Sequence, residues 1–200
     1  MSANVWFEEV NAGLMREIRD SVRIRDSKGR LISLDDKAIV VRKPEEDFKF
    51  EVFPCVSIYN LTFYHDPLRY NPTPVKIGEY EEENLAIMEE PAIPFVLNYQ
   101  IDFWAEYQVD RDTMIRTWLM KHFRQFNLDV LDDCGVDRSC NCLKQGSVVN
   151  SDLVRNGERL LHSIIKYQIW VELDEEIRYN KPMANKAKII LKIPNNKEVR

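Results

Sequence analysis

Residues 94–108, PFVLNYQIDFWAEYQ, run directly into residues 109–123, VDRDTMIRTWLMKHF, and this junction decides the fold. Phe95, Leu97, Tyr99, Ile101, Phe103 and Ala105 share one face of a strand; Val96, Asn98, Gln100, Asp102, Trp104 and Glu106 share the other. The first face reads as core and the second as mostly wet. The period then changes to that of a helix. Met114, Ile115, Trp118, Leu119, Phe123 and Phe126 form one apolar stripe, while Arg111, Arg116, Lys121 and Arg124 point outward. Asp110 or Asp112 is the expected cap. A strand with one apolar face, joined by a short corner to a helix with one apolar face, buries both by packing the helix on the sheet.

Outward from this junction, residues 160–176, LLHSIIKYQIWVELDEE, alternate in the same way. Leu161, Ile165, Tyr167, Ile169, Val171 and Leu173 face one side; His162, Lys166, Gln168, Trp170 and Glu172 face the other. Two long half-polar strands separated by one helix predict an α+β fold with a mostly antiparallel sheet and one or two helices on one face. Residues 4–20 form a further amphipathic helix through Val5, Trp6, Val10, Leu14 and Ile18. Short strands are expected in 21–34 around a DSKG turn, in 38–44 up to Pro44, and in 127–132. Residues 51–64, apolar on both faces, predict a central strand. Residues 142–153 hold a Gly-containing irregular stretch, and 155–159 read as a turn.

Residues 65–92 carry four prolines and a run of acids, and read as an extended loop. Loops of this length are functional, disordered, or ordered by a partner. The domain division expected is one α+β domain over 1–176 with this insertion, then a basic C-terminal strand or arm over 177–200 that includes KAKIILKIP (186–194). No internal repeat is seen.

With 44% hydrophobic and 30% charged residues, the 200-residue chain is of ordinary globular composition. No apolar run approaches the roughly 20 residues of a membrane helix, and MSANVWFEEVNAGL lacks the basic start and apolar core of a secretory signal. The net charge of -5 argues against a general nucleic-acid coat. That charge is uneven. Residues 78–91 carry six Glu and no Lys or Arg, whereas residues 177–200 carry seven Lys or Arg against one Glu. A basic tail on an acidic body suits nucleic acid, an acidic neighbour in a symmetric assembly, or plain solvation. The assembly reading is placed ahead of nucleic acid, because copies of one chain carry both patches, and plain solvation weighs as much as the two together. Tyr70, Tyr80, Glu81, Glu82, Glu83, Ile87 and Met88 from the loop, and Lys186, Lys188 and Lys192 from the tail, are then the expected interface residues. Trp104 and Trp170, on the outer strand faces, are expected to add an exposed apolar patch.

Signatures of catalysis are weak. Cys134, Cys140 and Cys142 are spaced C-x5-C-x-C, a poor match to a zinc site. Asp132–Asp133 and Asp35–Asp36 are adjacent carboxylates of the kind that usually serve turns and caps. His65–Asp66 and His162 have no nucleophile motif beside them. No cofactor or metal site and no enzymatic activity are expected. The alternative of another class is a metal-dependent enzyme using Asp132, Asp133 and the Cys134–Cys142 loop.

The order of elements resembles the tail-terminator and tail-completion proteins of tailed bacteriophages. The residues that carry the resemblance are VNAGLMREIRDS (10–21), FPCVSIYN (53–60), PFVLNYQIDFWAEYQVDRDTMIRTWLMKHF (94–123) and HSIIKYQIWVEL (162–173). It covers about two thirds of the chain and departs at 65–92, at the Cys-rich loop and at the basic tail. It implies a structural virion protein, made in the host cytoplasm, that forms a ring capping a tail tube or joining it to the neck. A baseplate or other tail protein of the same fold is the near alternative. The implied partners are further copies, with a hexamer favoured, and other tail or neck proteins, without a membrane or a specific nucleic acid.

Overall fold

The computed structural model describes residues 6–41, 52–73, 75–80, 85–89, 91–132, 135–155, 158–173 and 178–182. In chain order they form α1 (Phe7–Ser21), β1 (Arg23–Arg25), β2 (Leu31–Ser33), a 3-10 turn (Asp36–Ala38), β3 (Ile39–Val41), β4 (Cys55–His65), β5 (Val75–Tyr80), β6 (Leu85–Glu89), β7 (Ile93–Ala105), α2 (Gln108–His122), β8 (Gln125–Leu131), β9 (Asp137–Asn150), β10 (Leu153–Arg155), β11 (Glu158–Leu173) and β12 (Arg178–Pro182). The fold is α+β with a mostly antiparallel sheet, as the alternation in 94–105 and 160–173 requires. These elements fall into two compact units: Met1–Asn71 with Ala92–Glu175, and Pro72–Pro91 with Glu176–Arg200.

In the larger unit the strand order is β3-β4-β7-β11-β9-β8, with β10 paired to β11. All pairs are antiparallel except β3 with β4. The two longest alternating segments lie side by side at the centre, in register from Leu161 opposite Ala105 to Leu173 opposite Ile93. Both helices pack on one face. α1 touches β8 at one end of the strand path and β3 and β4 at the other, so the sheet curls around it. Gly13 permits this approach: a Cβ there would lie 2.7 Å from Val130 Cγ1 and 3.2 Å from the Asp129 carbonyl oxygen. Val10, Leu14 and Ile18 of α1 are fully buried, as their helical spacing predicts.

α2 lies over β7 and β11. Met114 and Trp118 are fully buried, and the Trp118 indole N–H donates to the Tyr167 hydroxyl at 2.9 Å. That hydroxyl in turn donates to the His122 carbonyl, closing a polar link inside an aromatic core. Glu8 and Glu9 lie in the first turn of α1 and Arg19 in its last, each sign favourable to the helix dipole.

Several expectations are corrected. α2 begins after Tyr107, so Asp110 lies in its first turn and neither Asp110 nor Asp112 is the cap residue. Arg111 does not point outward; it is buried and pairs with Asp112 and Asp152. Phe123 is not part of the buried stripe but is 63% exposed. β4 is central only in its first half, because β3 covers only Val56–Ile58 and exposure rises from Leu61 onward. The Gly-containing irregular stretch expected within 142–153 is found inside β9, which runs on to Asn150. Its irregularity is a bulge in which residues 146–148 oppose Ile165, with Gly146 at φ +63 supplying the left-handed turn.

The smaller unit replaces the expected loop. β5 and β6 form an antiparallel pair, with Tyr80 opposite Leu85, and β12 adds to the far side of β6, with Arg178 opposite Glu89. The acidic insertion and the start of the basic tail therefore meet in one three-stranded sheet within a single chain. The prolines of 65–92 flank this hairpin rather than abolish it. The strand expected at 186–194 lies outside the described residues.

Candidate functional site

Three arrangements in the larger unit bring polar or exposed groups together. The first lies on the sheet face opposite the helices. Asp102 is fully buried, and its Oδ1 accepts from Gln100 Nε2 at 2.8 Å and meets His162 Nε2 at 2.8 Å. The His162 ring stacks on Trp104, centroids 3.7 Å apart and planes 3° apart, and the Trp104 indole donates to Ser57 Oγ. These groups converge because their strands pair in register: Trp104 lies opposite both Cys55 and His162, and Asp102 lies opposite Ser57. Gln100 and His162 meet Oδ1 of the carboxylate and Ser57 accepts from the indole, a structural network in which Asp102 Oδ2 is buried without a hydrogen-bond partner among the described residues. Asp102, Gln100 and Trp104 were expected to be wet; the structure corrects this, because the polar side chains bury one another.

The second joins the two helices. His122 Nε2 lies 3.0 Å from Glu17 Oε1 and 3.3 Å from Ser21 Oγ. The hydrogen bond from His122 is the largest cause holding the Glu17 carboxyl below its usual range, with Ser21 and Lys121 adding to it. Ser, His and Glu are assembled, yet the geometry is not that of a catalytic triad. A triad needs the nucleophile on one ring nitrogen and the carboxylate on the other. Here both meet Nε2, and Nδ1 is buried without a hydrogen-bond partner among the described residues.

The third is a cleft of about 420 Å³ bordered by Arg69, Arg138, Asn141, Trp170 and Glu172. Its cations are already engaged: Arg69 with Glu172 at 3.0 Å, and Arg138 with Asp132 at 3.1 Å. The Asp132 carboxylate also accepts the Val136 N–H, so it closes the turn before β9. Cys140 and Cys142 are buried along β9, and burial pushes the Cys140 thiol up to about 11, with Glu172 adding to the effect. Asp133 and Cys134 lie outside the described residues. Among the described residues no three His, Cys, Asp or Glu side chains are grouped as metal ligands.

Trp104 and Trp170 do not form the patch expected of them. Trp104 is only 3% exposed, and Trp170, half-buried, borders the cleft. They stand eight residues apart along paired strands, about 27 Å at roughly 3.4 Å per residue. Tyr70 is half-buried and packs edge-on against His65. Tyr80 ends β5, and Ile87 and Met88 lie in β6. Glu81, Glu82, Glu83, Lys186, Lys188 and Lys192 lie outside the described residues.

The exposed apolar surfaces are elsewhere. One is a groove on the outer side of α2, walled by Ile115, Leu119, Met120 and Phe123 with Asp112 and Arg116 at its margin. Met120 is 79% exposed. The other surrounds the uncovered end of β4, where Leu61, Phe63 and Leu68 are exposed and Phe7 and Phe63 border a shallow groove. Trp6, Phe7, Phe63 and Phe95 form an aromatic cluster beneath it. The periodicity of α2 hid the first surface, because Phe123 fits the buried stripe by spacing and leaves it only where the helix ends. The second was hidden because β4 reads as apolar on both faces along its whole length.

No family model matches the chain, and no curated protein matches it.

Proposed function

We propose that the protein is a structural component of a tailed-phage virion that assembles as a ring, in the tail-terminator or tail-completion role, capping the tail tube or joining it to the neck. One observation carries the ring: the larger unit exposes two apolar surfaces, on α2 and at the end of β4, that share no residue. A two-fold dimer uses one patch twice, whereas two unlike patches suit head-to-tail contact, which closes into rings. The placement in a phage tail rests on the resemblance of residues 10–21, 53–60, 94–123 and 162–173. The two-helix, curled-sheet architecture is compatible with it.

The test is the mass of the purified chain by light scattering at low and high salt, together with negative-stain images. The expected result is a closed ring, with six copies favoured; a mass that falls as salt rises would assign part of the contact to charge rather than to the apolar surfaces. A monomer that also fails to bind purified tail tubes would overturn the reading.

A further inference from the structure

The α2 groove carries a feature its apolar walls do not explain. Arg116 lines it and Arg124 follows Phe123 at its end, both exposed, while Asp112, the one carboxylate on its margin, is paired with Arg111. Lys121 donates to Ser21 Oγ, and the Arg124 guanidinium lies 5.8 Å from the Phe123 ring centroid. Neither Arg116 nor Arg124 has an acidic partner among the described residues. On the same helix Arg111 is paired with two carboxylates and is buried. Cations left unpaired beside solvent-facing Met120 and Phe123 mark a surface suited to a segment that is both apolar and acidic.

The chain's most acidic stretch without a basic residue, 78–91, with six Glu, is such a segment. The β5–β6 hairpin reads VKIGEYEEENLAIME, with Glu79, three consecutive glutamates in the connection between Tyr80 and Leu85, and Glu89. Tyr80, Leu85 and Ile87 are interleaved with them. The hairpin belongs to a compact unit separate from the one that bears α2. β12 brings Arg178 and Lys181 to β6 over Glu89 to Leu85.

We infer that the α2 groove receives the acidic β5–β6 hairpin of a second copy of this chain, with Arg116 and Arg124 facing the glutamates at 81–83. The contact is heterologous, joining a hairpin on one copy to a helix on the next. It rests on the reading of the protein as a ring of identical copies, and it assigns the α2 surface a counterpart other than the β4 end.

The test is a charge swap on the full chain, read by light scattering across a concentration series. Arg116→Glu with Arg124→Glu, and separately Glu81→Lys with Glu82→Lys and Glu83→Lys, each place like charges in the contact. Each set should weaken assembly by roughly a hundredfold. All five substitutions together should restore it, as should mixing the two variants, because every contact in the mixture then joins opposite charges. Arg116 and Arg124 are exposed, so an unchanged thermal melt is expected and separates lost contact from lost fold.

An unaltered mass for the arginine variant would overturn the contact and leave the ring intact. So would a five-fold variant that assembles worse than either parent. A wild-type chain that stays monomeric would remove this self-contact whatever it then does on a tail tube.

Discussion

Around Asp102 and His162 the two faces of the central strands β7 and β11 reach nearly the same burial by different chemistry, while farther along Lys166 and Glu172 are exposed. On the helix side, Leu97, Tyr99, Ile101, Phe103, Ile165 and Ile169 are fully or almost fully buried against α1 and α2. On the opposite side, Gln100, Asp102, Trp104 and His162 are almost as inaccessible, yet three of the four are polar or ionisable. The first face is held by area removed from water, which tolerates small shifts. The second is held by a few directed contacts, each of which leaves a buried polar group behind when broken. Polarity along a strand therefore does not mark its solvent side where the polar residues can satisfy one another.

The comparison is broken most forcefully on the helix side. Trp118→Ala removes a fully buried indole and its bond to Tyr167, and should lower stability by about 4 kcal/mol. Denaturant unfolding measures this, and a change under about 1 kcal/mol would mean that α2 does not sit on the sheet as described. On the opposite side, Asp102→Ala strands Gln100 and His162 without their acceptor, at about 3 kcal/mol. Asp102→Asn should recover part of that loss. If Asp102→Ala stays within about 0.5 kcal/mol, the range of ordinary surface changes, the network is not what holds this face.

A third experiment probes how closely the sheet wraps α1. Alanine is the better helix former, by about 1 kcal/mol over glycine. Yet Gly13→Ala places a methyl group against Val130 and the β8 backbone, and overpacking of this kind costs about 2 kcal/mol. The net effect should be a lowered melting temperature; a raised one would contradict the tight seat of α1.

The smallest effect is the pH dependence of the α1–α2 contact. The Glu17 carboxyl is held below its ordinary value of about 4.5, chiefly by His122. Its contribution is therefore present above that value and is lost as pH falls through the lower folded one. Glu17→Gln should flatten the acid limb of the stability profile by at most about 1 kcal/mol, since the side chain is partly exposed. Profiles that superimpose would show that His122 is held by packing alone.

Much of this architecture is legible in residue order. The switch at 105–108 marks where β7 ends and α2 begins, and the spacing of Val10, Leu14 and Ile18 marks the buried face of α1. The parallel alternations of 94–105 and 160–173 anticipate two central neighbours. The candidate contact surface is less legible. Phe123 and Met120 are apolar at helical positions, and only the position of the helix end over the sheet exposes them. Arg111 and Arg116 look equivalent in sequence; one is buried and paired with Asp152, just before β10, and the other faces solvent.

What the sequence determines by itself is local. Period, caps and turns follow from which residues stand two, three or four apart, and these are enough to specify an α+β chain with amphipathic elements. What only the tertiary structure decides is which distant groups meet. It brings Asp102 to His162 across 60 residues, joins the acidic insertion to a tail strand about 90 residues later, and leaves Arg116 beside an apolar groove without an acidic partner among the described residues. The physical reason is that burial and charge pairing depend on strand register and helix seating. Those are set by the whole packed core at once, and no short window of residues contains them.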